Sequence, residues 1–355
     1  MYYRPRKNIH KRLHKQKIIV ANHLAIFFKG FAYLSNRKKP SISAFILLLC
    51  FAQVTLGSDK TQTKNQQAGD LPSISYLKGF DDTHSYISRQ IQDFADALDT
   101  FFSNDRAFEE LQGSRININL LQSNIDHKKP GYRAELRAKL VFPKTQKKLK
   151  LLIETQDEDE ETQQTNLPGT LQTQEQTIGL RFIEKETNKW RVHTDTGLRF
   201  KSGIDAFARL RLRRLIPKDA WVYRIAQNFY WYRIDGAGED TRLDIDHPVT
   251  EHLLFRSTSE ATWLNKNRYF DLGQDFILFQ KINKRKAINY QVGVRDTTEP
   301  RTHAKNYFFT ARYREQVHQN WLFLEVNPGV NYSEDNSYKP IKYIIFKVEA
   351  VFGTP

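Results

Sequence analysis

From about Ser114 to the end of the chain, apolar side chains recur at every second position, and no other feature narrows the possible folds as much. Tyr132, Ala134, Leu136, Ala138, Leu140 and Phe142 alternate with Arg133, Glu135, Arg137, Lys139 and Val141. Successive side chains of a strand point to opposite faces, so this period of two gives one apolar and one charged face. The same alternation returns at Leu149/Leu151/Ile153, Ile178/Leu180/Phe182, Val192 to Phe200, Ala206 to Leu212 and Trp221 to Trp231. It continues through Leu243/Ile245, Leu253/Phe255, Phe270 to Leu278, Ile288 to Val294, Tyr307 to Tyr313, Leu322 to Val326 and Ile344 to Phe352. With a weaker strand at Ile116/Ile118/Leu120, the pattern predicts about fourteen segments of roughly ten residues, the length at which a tilted strand crosses a bilayer. The count falls to about twelve if the first and one other strand fail to form.

Alternation alone also fits a soluble antiparallel sandwich or barrel. Four further features favour an outer-membrane β-barrel over residues 114–353. Apolar faces end in aromatic residues such as Trp190, Phe200, Trp221, Trp231, Trp263 and Trp321, as interfacial girdles do. Tight connections at 143–146, 185–188, 217–219 and 283–286 alternate with longer polar stretches at 155–175, 235–240, 296–304 and 327–340, Lys201-Ser-Gly203 being the exception. An even strand number returns both ends of the barrel to one side. At 39% hydrophobic residues and a mean hydropathy of −0.63, the composition excludes a bundle of membrane helices but suits a barrel with one apolar face.

The fourth feature is export. Asn36-Arg-Lys-Lys-Pro40, the apolar run Ser41 to Gly57 and a polar continuation from Ser58 make a secretory signal, with cleavage after Gly57. Residues 1–57 are therefore assigned to targeting, with 1–35 an over-long signal or a start placed too early. This segment holds eleven Lys/Arg and no Asp/Glu, so most of the net charge of +15 leaves with it, and 44 basic residues then face 40 acidic ones. The nucleic-acid partner that +15 invites is not expected. Cys50 and Met1, the only residues of their types, leave as well, so thiol catalysis and thiolate metal sites are not expected.

Residues 58–80 read as a flexible lead-in and 81–112 as a periplasmic helical segment. There Ile87, Ile91, Phe94, Leu98 and Phe101 recur at helical spacing between polar residues, a stripe that must pack against a partner copy or the body of the protein and is a candidate for docking a partner protein.

Sites for chemistry are sparse. His193-Thr-Asp-Thr-Gly197 carries Thr where an outer-membrane phospholipase carries its serine nucleophile. Leu243-Asp-Ile-Asp-His-Pro248 puts Asp244 and Asp246 on one face and His247 on the other, unlike the omptin proteases unless a bulge intervenes. Asp157 to Glu161 lacks the converging ligands of a cation site and reads as a solvated loop. No catalytic residue, metal or cofactor is assigned. The charged face remains: Arg133, Arg137, Arg191, Arg199, Arg209, Arg211, Arg213, Arg224, Arg312, Arg314 and Lys347 share the parity opposite the apolar positions and are the candidate lumen-lining residues. Two functions follow: a narrow, anion-preferring passive pore, or a non-enzymatic anchor whose helix holds a partner.

The last strand, with Phe346, Val348, Ala350 and Phe352 on one face, resembles the C-terminal signature by which Gram-negative outer-membrane proteins are presented to the barrel-assembly machinery, although Gly353-Thr-Pro355 follows the aromatic residue. Leu140-Val-Phe-Pro-Lys-Thr and Thr241-Arg-Leu-Asp-Ile-Asp resemble an uncharacterised proteobacterial family of outer-membrane proteins with a helix before the barrel. That resemblance implies contact with outer-membrane lipid and lipopolysaccharide and supplies no catalytic residues. N-terminal sequencing of the mature protein is expected to begin at Ser58, and a native N-terminus before residue 40 would overturn the signal assignment.

Overall fold

The computed structural model describes residues 83–103, 113–142, 149–157, 174–187, 189–200, 203–299, 303–319 and 321–353. The targeting segment and lead-in assigned to 1–80 lie outside these residues, as does most of the acidic run 157–161. Among the described residues the chain forms one helix, α1 (Thr83–Phe101), and then fourteen antiparallel strands. These are β1 (Arg115–Ile125), β2 (Gly131–Val141), β3 (Leu149–Asp157), β4 (Gln174–Glu186), β5 (Trp190–Phe200), β6 (Ile204–Lys218) and β7 (Trp221–Tyr232). They continue as β8 (Gly236–Thr250), β9 (Leu253–Leu264), β10 (Phe270–Asn283), β11 (Lys286–Thr297), β12 (His303–His318), β13 (Leu322–Ser333) and β14 (Pro340–Gly353). Each strand pairs with its chain neighbours, and β1 pairs with β14 from Arg115↔Gly353 to Ile125↔Tyr343, closing the barrel. Closure leaves the sheet without an edge strand; its shortest seam is β2–β3, paired from Arg137↔Glu154 to Val141↔Lys150. All fourteen expected strands form, the weak first one included, because it supplies half of this seam.

The alternation resolves as read. Ile118, Leu120, Ile178, Leu180, Val292, Phe309 and Phe346 are exposed on the outer surface, while Lys139, Asp195, Arg224, Asp246 and Arg314, of the opposite parity, are almost wholly buried. This inversion of the soluble pattern is what a barrel facing hydrocarbon requires. Trp321 stacks on Phe352 and Trp221 on His247 at the end carrying Arg115 and Gly353, here called the terminal end; Trp231, Tyr307 and Tyr332 lie on the outer surface at the opposite, distal end.

Two expectations need correction. The stretches 235–240 and 327–340 are not long loops: β7 and β8 are joined by residues 233–235 alone, and β13 runs to Ser333 before a short 3-10 turn at Glu334–Asn336. Polar residues there belong to the strands themselves: in β13 Asn331 and Ser333 are buried on the inward face while Tyr332 between them is exposed outward. The aromatics also do not all face outward. Tyr230, Phe308 and Tyr343 point inward, each directly across the ladder from a glycine, at Gly238, Gly293 and Gly329. An added Cβ would lie 2.2 Å from Tyr230 at Gly238, 2.5 Å from Phe308 at Gly293 and 2.2 Å from Tyr343 at Gly329, so each ring covers its partner's missing side chain. Gly329→Ala is expected to destabilise the folded barrel by about 1–3 kcal/mol through overpacking. Gly203→Ala, with nothing within 4 Å of the new Cβ, should be neutral; equal urea midpoints for the two variants would contradict the pairing.

Candidate functional site: a charged lumen closed on by a helix

At the terminal end the inward parity is broken by an apolar ring. Leu215, Val222, Leu254, Phe279, Ala287 and Phe323, from β6, β7, β9, β10, β11 and β13, face the lumen where a charged wall would be expected, and all are buried. The other half of this core is α1, whose Ile91, Phe94, Ala95, Leu98 and Phe101 pack against the ring together with Phe102 beyond its end. Phe102 meets Phe279 at 5.7 Å and Phe101 meets Phe323 edge-on at 5.8 Å. Burying one such side chain contributes roughly 1.5–3 kcal/mol, so the stripe holds the helix without any covalent link. The helix ends where Ser103 turns left-handed, φ 49°. The stripe read as a face for a separate partner is therefore covered by the chain's own barrel; the side chain of Ile87 lies outside the described residues.

Polar contacts fix the register of the helix on the wall. Arg224 of β7 reaches Asp96 at 2.7 Å. Arg256 of β9 is bidentate to both Asp99 (2.6 and 3.1 Å) and Asp246 (2.5 and 3.1 Å), and all three are buried. Arg314 of β12 donates to Ser103 at 3.1 Å while pairing with Glu349 at 2.6 Å and Glu325 at 3.2 Å. Lys347 joins that cluster 3.5 Å from Glu325, and Arg312, 3.9 Å from Glu325, lies over the ring of Phe102. Bidentate guanidinium–carboxylate pairs of this kind give direction as well as energy.

Beyond the helix, the lumen is electrostatically two-sided. On β2 to β6 the inward positions carry Arg133, Arg137, Lys139, Lys150, Arg181, Arg191, Arg199, Arg209, Arg211 and Arg213 against Glu135, Glu154, Asp195 and Asp205. On β8 to β10 the balance reverses, with Asp240, Asp244, Asp246, Glu260, Asp271 and Asp275 against Arg242, Arg256 and Lys281. Arg242 bridges Asp244 and Glu260 at 3.1 and 2.8 Å, and Arg295 of β11 holds Asp275 at 2.7 Å. Arg133, Arg137, Arg191, Arg199, Arg209, Arg211, Arg213, Arg224, Arg312, Arg314 and Lys347 occupy inward register positions, and Arg224, Arg312, Arg314 and Lys347 among them also form the seat of α1. Parity within single strands does not show how the carboxylates of β8 to β10 gather, nor the apolar ring, whose signal is the double apolar step Leu212/Leu215 with two arginines between.

At the distal end Arg199 pairs with Asp205 at 2.6 Å and Asp235 at 2.5 Å and stacks 3.9 Å over Tyr232. Burial pushes the Asp235 carboxyl up, but hydrogen bonds from Arg199 and Lys266 outweigh it and hold the group below its ordinary value. His247 faces away from Asp244 and Asp246: its Nδ1 lies 3.0 Å from the Ala220 carbonyl and its ring stacks on Trp221 at 4.1 Å. The ladder shift falls after it, between Pro248 and Thr250. Among the described residues no group of three or more His, Cys, Asp or Glu side chains is placed to hold a metal ion.

Replacing Arg256 by Leu strands Asp99 and Asp246 without their shared cation. The folded state is expected to lose on the order of 3–5 kcal/mol, read from urea unfolding in detergent, and α1 should become open to protease; a loss below about 1 kcal/mol would show that the triplet does not hold the helix.

A closed, even-stranded antiparallel barrel with an apolar outer band, aromatic ends and a charged interior is the architecture of Gram-negative outer-membrane proteins. No family model and no curated protein matches the chain. Solved structures similar to it include OmpT, an outer membrane protein of Vibrio cholerae (TM-score 0.38, 8% identity, covering 68% of this chain and 98% of that one). The outer membrane channel DcaP of Acinetobacter baumannii is similar at TM-score 0.37 and 10% identity, covering 68% and 96% of the two chains. Pseudomonas aeruginosa OccK11 (OpdR) is similar at TM-score 0.39 and 9% identity, again covering 68% and 96%. Overlap at this level transfers no residue role to this chain.

Proposed function

We propose that the barrel is a passive, anion-preferring pore of the outer membrane, narrowed at its periplasmic mouth by α1. The observation that carries this reading is the surplus of inward Arg and Lys on β2 to β6. Side chains fixed on strands around an aqueous path set a potential that concentrates anions and depletes cations. The terminal end, with α1 seated in it, is then the periplasmic side, and the outer band contacts membrane lipid and, distally, lipopolysaccharide. Phe346, Val348 and Phe352, exposed in a row on β14, are in this reading the strip engaged by the barrel-assembly machinery. Membership of a proteobacterial family with a helix before the barrel is part of the same proposal, and the lumen performs no covalent chemistry in it. An anchor function with α1 holding a partner protein would require the helix to leave the ring of Leu215, Val222, Leu254 and Phe279, which the buried stripe disfavours.

Planar-bilayer recording in a salt gradient tests the pore. Chloride is expected to permeate better than potassium, and the Asp96→Asn/Asp99→Asn variant, which loosens the helix while keeping the full chain, should raise unit conductance. A preference for potassium would overturn the anion reading, and absence of current in both proteins would overturn the pore.

A further inference from the structure

The outer face is not apolar throughout. On β13 and β14 it runs through Leu322, Leu324, Val326 and Ile344, Phe346, Val348 without a polar side chain. On β7 to β10 Gln227, Thr241, Ser257, Ser259 and Gln274 share the outward parity and lie side by side. Gln227 is opposite Thr241, Thr241 opposite Ala261, and Ser259 opposite Gln274. Their depth follows from the aromatic residues of the same faces: Gln227 stands between Trp221 and Trp231 on β7, and Ser257 and Ser259 stand between Phe255 and Trp263 on β9. The patch therefore lies within the hydrocarbon band and not at its margins.

Polar side chains at this depth bond first to one another. Ser259 donates to Gln274 at 2.6 Å, Gln274 donates to Ser257 at 3.0 Å, and Thr241 donates to Gln227 at 2.5 Å. Gln227 is left incomplete by this set. It is 7% exposed, its Oε1 holds the one hydrogen bond it makes, and among the described residues its amide N–H groups reach no acceptor. An amide donor without an acceptor is costly in a medium that supplies none.

We propose that this patch, centred on Gln227 and Gln274, is the face on which two copies of the chain associate within the outer membrane. Lipid chains carry no acceptor for the Gln227 amide. A second copy presents hydroxyl and amide oxygens in the same band, because copies inserted in one direction hold each residue at one height. A twofold axis along the membrane normal beside β8 and β9 sets β7 of each copy toward β10 of the other, so the contact is isologous and closes at the dimer. Gln227 then faces the side of the other barrel that carries Gln274 and Ser259, groups that both donate and accept. Ser257, Ser259 and Ala261 are short and let the two walls approach, and hydrogen bonds between polar side chains hold membrane spans together where lipid removes the hydrophobic drive.

The test is site-directed cross-linking. With Cys50, the only cysteine, replaced by Ser, Ser259→Cys places a single thiol beside the axis, and Ala350→Cys places it on the outer face of β14. In native outer membranes, oxidation with copper phenanthroline is expected to convert Ser259→Cys into a disulfide-linked dimer and to leave Ala350→Cys monomeric. Gln227→Leu/Gln274→Leu, which removes the amides while suiting lipid, should raise the dimer dissociation constant of the purified protein in detergent by about tenfold, as expected for interchain hydrogen bonds lost from both copies, read by analytical ultracentrifugation. Gln274→Leu alone serves if the double variant fails to fold. A Ser259→Cys protein that stays monomeric or links to some other protein, equal cross-linking at the two positions, or unchanged dimerisation of the Leu variants would overturn the interface. Each result is read without any current, so it stands apart from the pore reading.

Discussion

Hydrocarbon offers no partner to a backbone N–H or C=O group, and every other property of this molecule is arranged around that fact. A sheet in such a medium must have no edge. Here the condition is met by an unbroken register between β1 and β14, with Ile116 opposite Phe352 and Ile118 opposite Ala350 on the outer face. Once the sheet closes, each strand's two faces meet different media. The apolar face meets lipid, and the charged face meets an interior that has to satisfy its own ions.

That interior is solved in two ways. On β8 to β11 carboxylates outnumber the cations, and guanidinium groups lie between them, as in Arg242 with Asp244 and Glu260 or Arg295 with Asp275. On β2 to β6 cations predominate, and a field directed across the lumen follows. At the terminal end the wall turns apolar instead, and α1 serves as the filling of a small hydrophobic core whose other half is the barrel. The helix is thereby part of the fold, anchored by Phe102 beneath Phe279 and oriented by Asp99 on Arg256. Loosening it exposes apolar surface on both partners, which makes the mouth a cooperative unit.

Much of this was legible in the chain. The strands from Tyr132 to Phe352 were visible because lipid and water demand opposite side chains on alternate residues, and a local rule of period two survives without knowledge of any contact. The stripe Ile91, Phe94, Leu98 and Phe101 was legible as one face of a helix for the same local reason. Its partner was not, because the ring that receives it is assembled from single residues, Leu215, Val222, Leu254, Phe279, Ala287 and Phe323, scattered over six strands. Each looks like a lone lapse in alternation. The glycine–aromatic pairs were hidden similarly: Gly329 and Tyr343 are neighbours only through the β13–β14 register.

The sequence by itself pointed to a membrane β-barrel of about fourteen strands, to a shared parity for Arg133, Arg209, Arg211 and Arg312, and to the amphipathic helix, since all of these follow from periodicity along one segment. Only the tertiary structure decided which walls are basic and which acidic, that the helix faces its own lumen, and that Arg191 stands opposite Arg213. Those facts depend on which residues of different strands share a row, and pairing register is a property of the closed sheet that no single strand carries.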